Sequence, residues 1–149
     1  MYSVIAWDGA EPADETVDGG PGFDTVDGGL CPGCFSVAVT VNLAEGLMTG
    51  FGADTLIGFE GATGGRKADT ITGDDEGNHL AGGRGADQLS GLGGDDALIG
   101  GRGPDNLDGG SGDDSLGGGP EGNVNEGGEG NDHCVNPEPT GGATGCEQP

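Results

Sequence analysis

Positive charge and aromatic rings are nearly missing from this chain. Lys and Arg number 4 against 27 Asp and Glu in 149 residues, a formal net charge of −23. A surface that negative repels phosphate backbones and anionic headgroups, so nucleic acid and anionic membrane are poor partners. Aromatic residues make up 4% of the chain, which offers little for stacking on sugar rings. No apolar run approaches the roughly 20 residues needed to span a bilayer, and no stretch reads as a helix. What is abundant is glycine, 38 residues. Such a composition ordinarily marks low complexity or disorder. The length suits one domain.

A strict period argues against permanent disorder. Cut at successive ninth residues from Gly64, the chain superimposes on itself: GGRKADTIT, GDDEGNHLA, GGRGADQLS, GLGGDDALI, GGRGPDNLD, GGSGDDSLG. Position six carries Asp69, Asn78, Asp87, Asp96, Asp105 and Asp114, and position eight carries Ile71, Leu80, Leu89, Leu98, Leu107 and Leu116. Glycine dominates positions one, two and four, where a turn demands positive φ or crowded carbonyls. The triplet around position eight reads as a short strand with one apolar side chain inward and its neighbours outward. One apolar residue per nonapeptide makes no core alone, but stacked coils place each such residue over the one below.

This G-G-x-G-x-D-x-U-x pattern resembles the haemolysin-type calcium-binding repeats of the repeats-in-toxin family. The resemblance implies an all-β fold: a parallel β-roll, a β-solenoid with two nonapeptides per coil, holding several Ca²⁺ ions between successive turns on each side. It implies that position-six residues of repeats n and n+2 share an ion and that turn carbonyls complete the shell. Calcium takes six to eight hard oxygens, which carboxylates and carbonyls supply. One edge would then stack Asp69, Asp87 and Asp105, and the other Asn78, Asp96, Asp114 and Asp132.

The resemblance reaches nearly the whole chain from about Val17. GGPGFDTVD, from Gly19, is a full nonapeptide with Asp24 at position six. FSVAVTVNLA follows, alternating as a strand does at Phe35, Val37, Val39, Val41 and Leu43. Asp54 and Leu56 then repeat the Asp-x-Leu spacing. Asp24, Asp54 and Glu60 are further candidate calcium ligands. The chain divides into a lead-in segment or N-terminal cap (1–17), irregular calcium-binding coils of the same solenoid (18–63), the regular roll (64–135) and a capping tail (136–149). Tyr2, Val4, Ile5 and Trp7 form either a first strand, a cap, or the end of an upstream domain. Past Gly117 the pattern decays: Asn123 and Asn125 take the Asp and apolar positions, and Cys134 is the inward residue of the next line.

Four cysteines allow three pairings. In a small, weakly cored chain they read as disulfides of an oxidising compartment. CPGC at Cys31–Cys34 has redox-motif spacing but lacks the helix such motifs open. Stacked strands about 4.8 Å apart put the two cysteine pairs too far apart for one zinc site, so Cys31–Cys34 and Cys134–Cys146 are the expected bridges. The second would fold the tail over the last coil. The start has no basic region and too short an apolar stretch for a signal peptide, so either a signal has been removed or this is the C-terminal part of a longer protein. Export of the family commonly follows the type I route, from which four cysteines depart.

No Ser/His/Asp grouping, paired catalytic carboxylates or phosphate loop stands out, and the chain does not read as an enzyme. His79 and His133 both face outward, six repeats apart. Position seven (Thr70, His79, Gln88, Ala97, Asn106, Ser115) is no hydroxyl ladder, which argues against ice binding. The expected function is an extracellular, secreted calcium-binding roll that folds on calcium, monomeric or part of a larger chain. The alternatives are a calcium-dependent adhesive or acidic-polysaccharide-binding module, or the C-terminal part of a secreted hydrolase or toxin. Arg66, Arg84 and Arg102, at position three of alternate repeats, should stack on one edge with Lys67 beside them.

Overall fold

The computed structural model describes the backbone of residues 2–6 and residues 14–29, 37–50, 52–135 and 142–146 in full. Trp7, Phe35 and the expected Cys31–Cys34 bridge lie outside the described residues. Among the described residues there are strands and turns and no helix. The strands are β1 (Tyr2–Ala6), β2 (Thr16–Asp18), β3 (Phe23–Asp27), β4 (Thr40–Asn42), β5 (Leu47–Thr49), β6 (Ala53–Ile57), β7 (Gly61–Thr63) and β8 (Thr70–Thr72). They continue as β9 (His79–Arg84), β10 (Gln88–Gly93), β11 (Ala97–Arg102), β12 (Asn106–Ser111), β13 (Ser115–Gly117), β14 (Val124–Glu129), β15 (His133–Val135) and β16 (Gly142–Thr144).

Alternate strands belong to alternate sheets. One sheet runs β1-β3-β7-β9-β11-β13-β15 and the other β16-β14-β12-β10-β8-β4-β5-β6-β2. Two nonapeptides therefore make one coil, and each residue of the regular roll lies beside the residue one coil on. Leu80 pairs with Leu98 and Leu98 with Leu116; Ile71 pairs with Leu89 and Leu89 with Leu107. These ladders face each other between the sheets, and their members are at most 2% exposed, so they are the core of a parallel β-solenoid of about 4 turns. Most regular strands are longer than the expected triplet. β9 to β12 and β14 each run six residues, from position seven into position three of the next line. Burial alternates through positions six, eight and one, so Asp, Leu and Gly all face inward.

The stretch 18–63 departs from the expectation of coils alone. β4 pairs with β5, and β5 with β6, in antiparallel register, while β4 also pairs with β8 in parallel. The chain reverses after Asn42, whose Oδ1 accepts from Glu45 N at 2.9 Å, and Gly46 closes the turn at φ 61°. Among its described residues, the expected long strand at FSVAVTVNLA forms a strand at Thr40–Asn42, flanked by hydrogen bonds from Thr70 N to Val39 O and from Leu43 N to Thr72 O, and Val39, Val41 and Leu43 alternate into the core. β1 adds to the edge of the first sheet beside β3, with Tyr2 opposite Phe23, which is the first-strand reading of the lead-in segment.

The coil outlasts the decay of its pattern. Asn125 takes the place of an inward leucine beside Leu107 and is fully buried. Cys134 lies beside Leu116, packed against the core, and is bonded to Cys146 across a Cα–Cα distance of 5.8 Å. β16 adds to β14, so the tail becomes one more strand held by that crosslink. The interior position should dominate stability. Leu98→Ala, at a fully buried site, should cost about 3 kcal/mol. Ile99→Ala, next in sequence but 58% exposed, should stay within about 0.5 kcal/mol. Denaturant unfolding of the two folded variants checks the contrast; equal losses would refute the inward assignment.

Candidate metal centre

Each regular turn delivers its position-six side chain into the interior just before the strand begins. Asp69, Asp87, Asp96, Asp105, Asp114 and Asp132 are 1–3% exposed, and Asn78 and Asn123 are fully buried. Burial of a carboxylate demands partners, and one oxygen of each has found one. Asp87 Oδ1 accepts the backbone N–H of Asp69 at 2.8 Å, Asp105 Oδ1 that of Asp87 at 2.9 Å, and Asn123 Oδ1 that of Asp105 at 2.8 Å. On the other edge Asp96 accepts from Asn78, Asp114 from Asp96 and Asp132 from Asp114, at 2.7, 2.8 and 2.9 Å. The side chains form two rows, each member bonded to the residue one coil below.

The second oxygen is different. Oδ2 of Asp87, Asp96, Asp105 and Asp114 is buried and makes no hydrogen bond, and the same holds for Asp24 and Asp54. In the regular lines it packs tightly against the position-one glycine, as at Gly82, Gly91, Gly100 and Gly109. A Cβ on Gly91 would strike Asp96 Oδ2 on one side and the carbonyl oxygen of Gly109, one coil on, on the other. Gly100 and Gly109 repeat this arrangement with Asp105 and Asp114. At position four, Gly103 has φ 120°, and a Cβ there would run into the carbonyl oxygen of Gly85 beneath. Glycine therefore holds space among carboxylate and carbonyl oxygens. That donor set is hard and all oxygen, which fits calcium and not a thiophilic metal.

The remaining expected residues are brought in unequally. Asp24 and Asp54 are each 1% exposed. Asp54 Oδ1 accepts from Glu15 N at 3.0 Å, the part its regular counterparts play. Glu60, eighteen residues before Asn78, does the same for Asp24 N at 2.8 Å through its longer side chain. Asp69 differs, because its Oδ2 already accepts from Gly65 N at 2.6 Å and its Oδ1 from Val39 N. Asn78 and Asn123 carry an amide nitrogen where a second carboxylate oxygen would be. Sequence reasoning missed the backbone-to-carboxylate ladder itself, whose one visible signal is the eighteen-residue repeat of Asp.

Burial pushes Asp87 up to about 6, against the pull of Asp69 N–H and with help from the charges of Asp105 and Asp69. Asp96 rises to about 7, again mainly by burial, opposed by the Asn78 N–H and raised further by Asp114, Asp74 and Asp95. Asp69, Asp105 and Asp114 are raised for the same first reason. Asp113, outside the row and fully exposed, is lowered by hydrogen bonds from Asn131. In the metal-free chain the folded state thus holds protons more tightly than the unfolded state. The stabilisation is full below the ordinary carboxylate range and lost as pH rises through about 6 to 7.

A parallel β-solenoid with two rows of buried carboxylates packed against turn glycines belongs to the class of calcium-binding β-rolls. The model of the RTX calcium-binding nonapeptide repeat (4 copies) matches residues 11–30, 63–89 and 90–124, more than half of the chain. This chain is a member of that family, whose repeats bind Ca²⁺ and serve as a structural module without catalytic function. No curated protein matches it. Among the described residues no helix is long and apolar enough to cross a membrane. The pH dependence can be checked directly. Circular dichroism in chelator should show β-structure increasing as pH is lowered from 8 to 5, while calcium titrations over the same range should show weakening affinity. Metal-free β-content that falls on acidification would contradict the buried-carboxylate account.

Proposed function

We propose that this chain is an extracellular structural module that folds when its buried carboxylates meet calcium. The observation that carries the reading is the set of unpartnered, buried Oδ2 atoms on Asp24, Asp54, Asp87, Asp96, Asp105 and Asp114. Asp69 and Asp132 share their rows, with Asn78 as the amide member of the second edge. A buried carboxylate oxygen without a partner is strongly unfavourable, and a bound cation removes that cost while binding only the folded state. Calcium supplies the positive charge; the chain's own residues set the spacing, exclude water and hold carbonyls beside the carboxylates. The Cys134–Cys146 disulfide and a repeat typical of secreted proteins support an oxidising, external setting. There, affinities of about 10⁻⁴–10⁻³ M suffice.

Circular dichroism at neutral pH should show coil in chelator and β-structure on adding calcium. Asp87→Ala and Asp96→Ala should each raise the calcium midpoint, because each serves the turns on both sides. Unchanged β-content in excess chelator at pH 7.5 would sink the proposal.

A second role is supported by the edge that carries the cations. Arg84 and Arg102 pair in register on β9 and β11, and with Arg66 they line a groove of about 500 Å³ floored by glycines. The opposite edge has Asp75, Gly93 and Ser111 at position three and paired acids at Asp95–Asp96 and Asp113–Asp114. Stacked guanidinium groups suit the repeated carboxylates or sulfates of an acidic polysaccharide. Charge-assisted contacts are worth about 1.5–3 kcal/mol each, so Arg66/Arg84/Arg102→Gln should weaken binding to polyuronate or sulfated polymer in calcium more than tenfold. Equal binding by parent and variant, or none by either, removes this role and leaves the first.

A further inference from the structure

The two rows are not equivalent along their length. One runs Asp69, Asp87, Asp105, Asn123 and the other Asn78, Asp96, Asp114, Asp132. Each has three carboxylates and one amide, and the amides stand at opposite ends. At Asn123 the Nδ2 group donates to the carbonyl oxygens of Gly119 at 2.9 Å and Glu121 at 3.0 Å. These are the position-two and position-four carbonyls of its turn. In turns headed by Asp, the position-four carbonyl sits among the oxygens lining the space between coils, as Gly85 O does beneath Gly103. In the Asn123 turn Glu121 replaces the position-four glycine, takes φ 81°, and accepts from Gly103 N at 2.8 Å through its Oε2. Glu121 O also accepts the backbone N–H of Asn123. The oxygens of this turn are satisfied by amide donors of the chain itself.

Asn78 reaches a similar result by a different route. Its Oδ1 accepts from Asp74 N at 2.7 Å, and its Nδ2 donates to Asp74 Oδ1 at 3.1 Å. Asp74 Oδ1 also accepts from Glu76 N at 2.9 Å. The turn is closed on its own side chains.

We propose that Asn78 and Asn123 stand in for calcium in their own turns, bounding the regular rows at opposite ends, with the irregular coils of Asp24 and Glu60 continuing beyond Asn78. The inference rests on the calcium-binding reading above and adds which turns bind no ion. At Asn123 the neutral amide presents hydrogens to turn carbonyls that a cation would otherwise gather, and at Asn78 it presents one to the Asp74 carboxylate, so each holds its turn in shape without metal. It also leaves one negative charge fewer to neutralise in that turn. The terminal turn at Asn123 is then ordered by hydrogen bonds and the nearby Cys134–Cys146 crosslink, independently of calcium.

The test counts ions. Native mass spectrometry of the full chain in saturating calcium should show one more bound ion in Asn123→Asp than in the parent, one more in Asn78→Asp, and two more in the double variant. Asn106→Asp, which adds the same charge on an exposed outward position, should add none. In chelator, hydrogen exchange across residues 119–123 should be faster in Asn123→Asp than in the parent, since the donors are gone. Parent stoichiometry in either row variant overturns the inference for that row. So does an Asn123→Asp chain that fails to fold in saturating calcium, because a restored site would stabilise the folded state. A parent that binds no calcium at all overturns the underlying calcium reading instead.

Discussion

Like charges stacked one coil apart in a buried row are the constraint on which this structure turns. Parallel strands repeat at about 4.8 Å, so a side chain at a fixed point of the coil meets its own copy at that distance. For leucine this is favourable and builds the core. For aspartate it brings carboxylates together where water cannot screen them. One oxygen of each is answered by a backbone N–H from the coil below, while the second oxygen of Asp87 and Asp96 is buried without a partner, so the answer is incomplete. Protonation or a divalent cation completes it. The proposed dependence on an external cation is therefore a property of the repeat itself, rather than of a separate site.

The glycines belong to the same problem. They let the turns tighten, and they leave the space in which carboxylate and carbonyl oxygens face one another across adjacent coils. A side chain at position one would fill that space and replace oxygen with carbon. The core is correspondingly thin, one leucine-sized residue per line, and the apolar ladders alone have little surface to bury. On the proposed reading, a chain of this composition and charge is ordered while its edges are neutralised.

The ends are managed by other means. Toward the first coils, an antiparallel meander turned at Asn42 and Gly46 is inserted in the second sheet between β8 and β2 and packs Met48 beside Val41. The last are closed by β16 and by the Cys134–Cys146 bond. Asn125, buried where a leucine belongs, makes its bond to Leu116 O at 3.4 Å and so breaks the apolar ladder just before the stack stops. Open solenoid edges invite further strands; a polar, crosslinked final coil does not.

The sequence by itself determined the period, the inward leucines and the acidic position six, because a solenoid repeats in space what its chain repeats in order, while the two-line coil came from the resemblance to the calcium-binding repeats. Those features follow from local turn chemistry and a fixed spacing, so they could be read at Asp87, Asp96, Leu89 and Leu98 without coordinates. The local pairing of Cys134 with Cys146 was legible for the same reason. Three things were decided only by tertiary structure. The reversal at β4 to β6 depends on pairing partners far along the chain, and an alternating strand pattern reads alike in parallel and antiparallel sheets. The role of Glu60 depends on a longer side chain reaching the Asp24 backbone from the next coil, across an irregular spacing. Finally, whether a position-six Asn leaves its turn open or closes it depends on which oxygens its amide meets. That is a matter of three-dimensional contact between Asn123 and Glu121, and between Asn78 and Asp74, which no count of nine can supply.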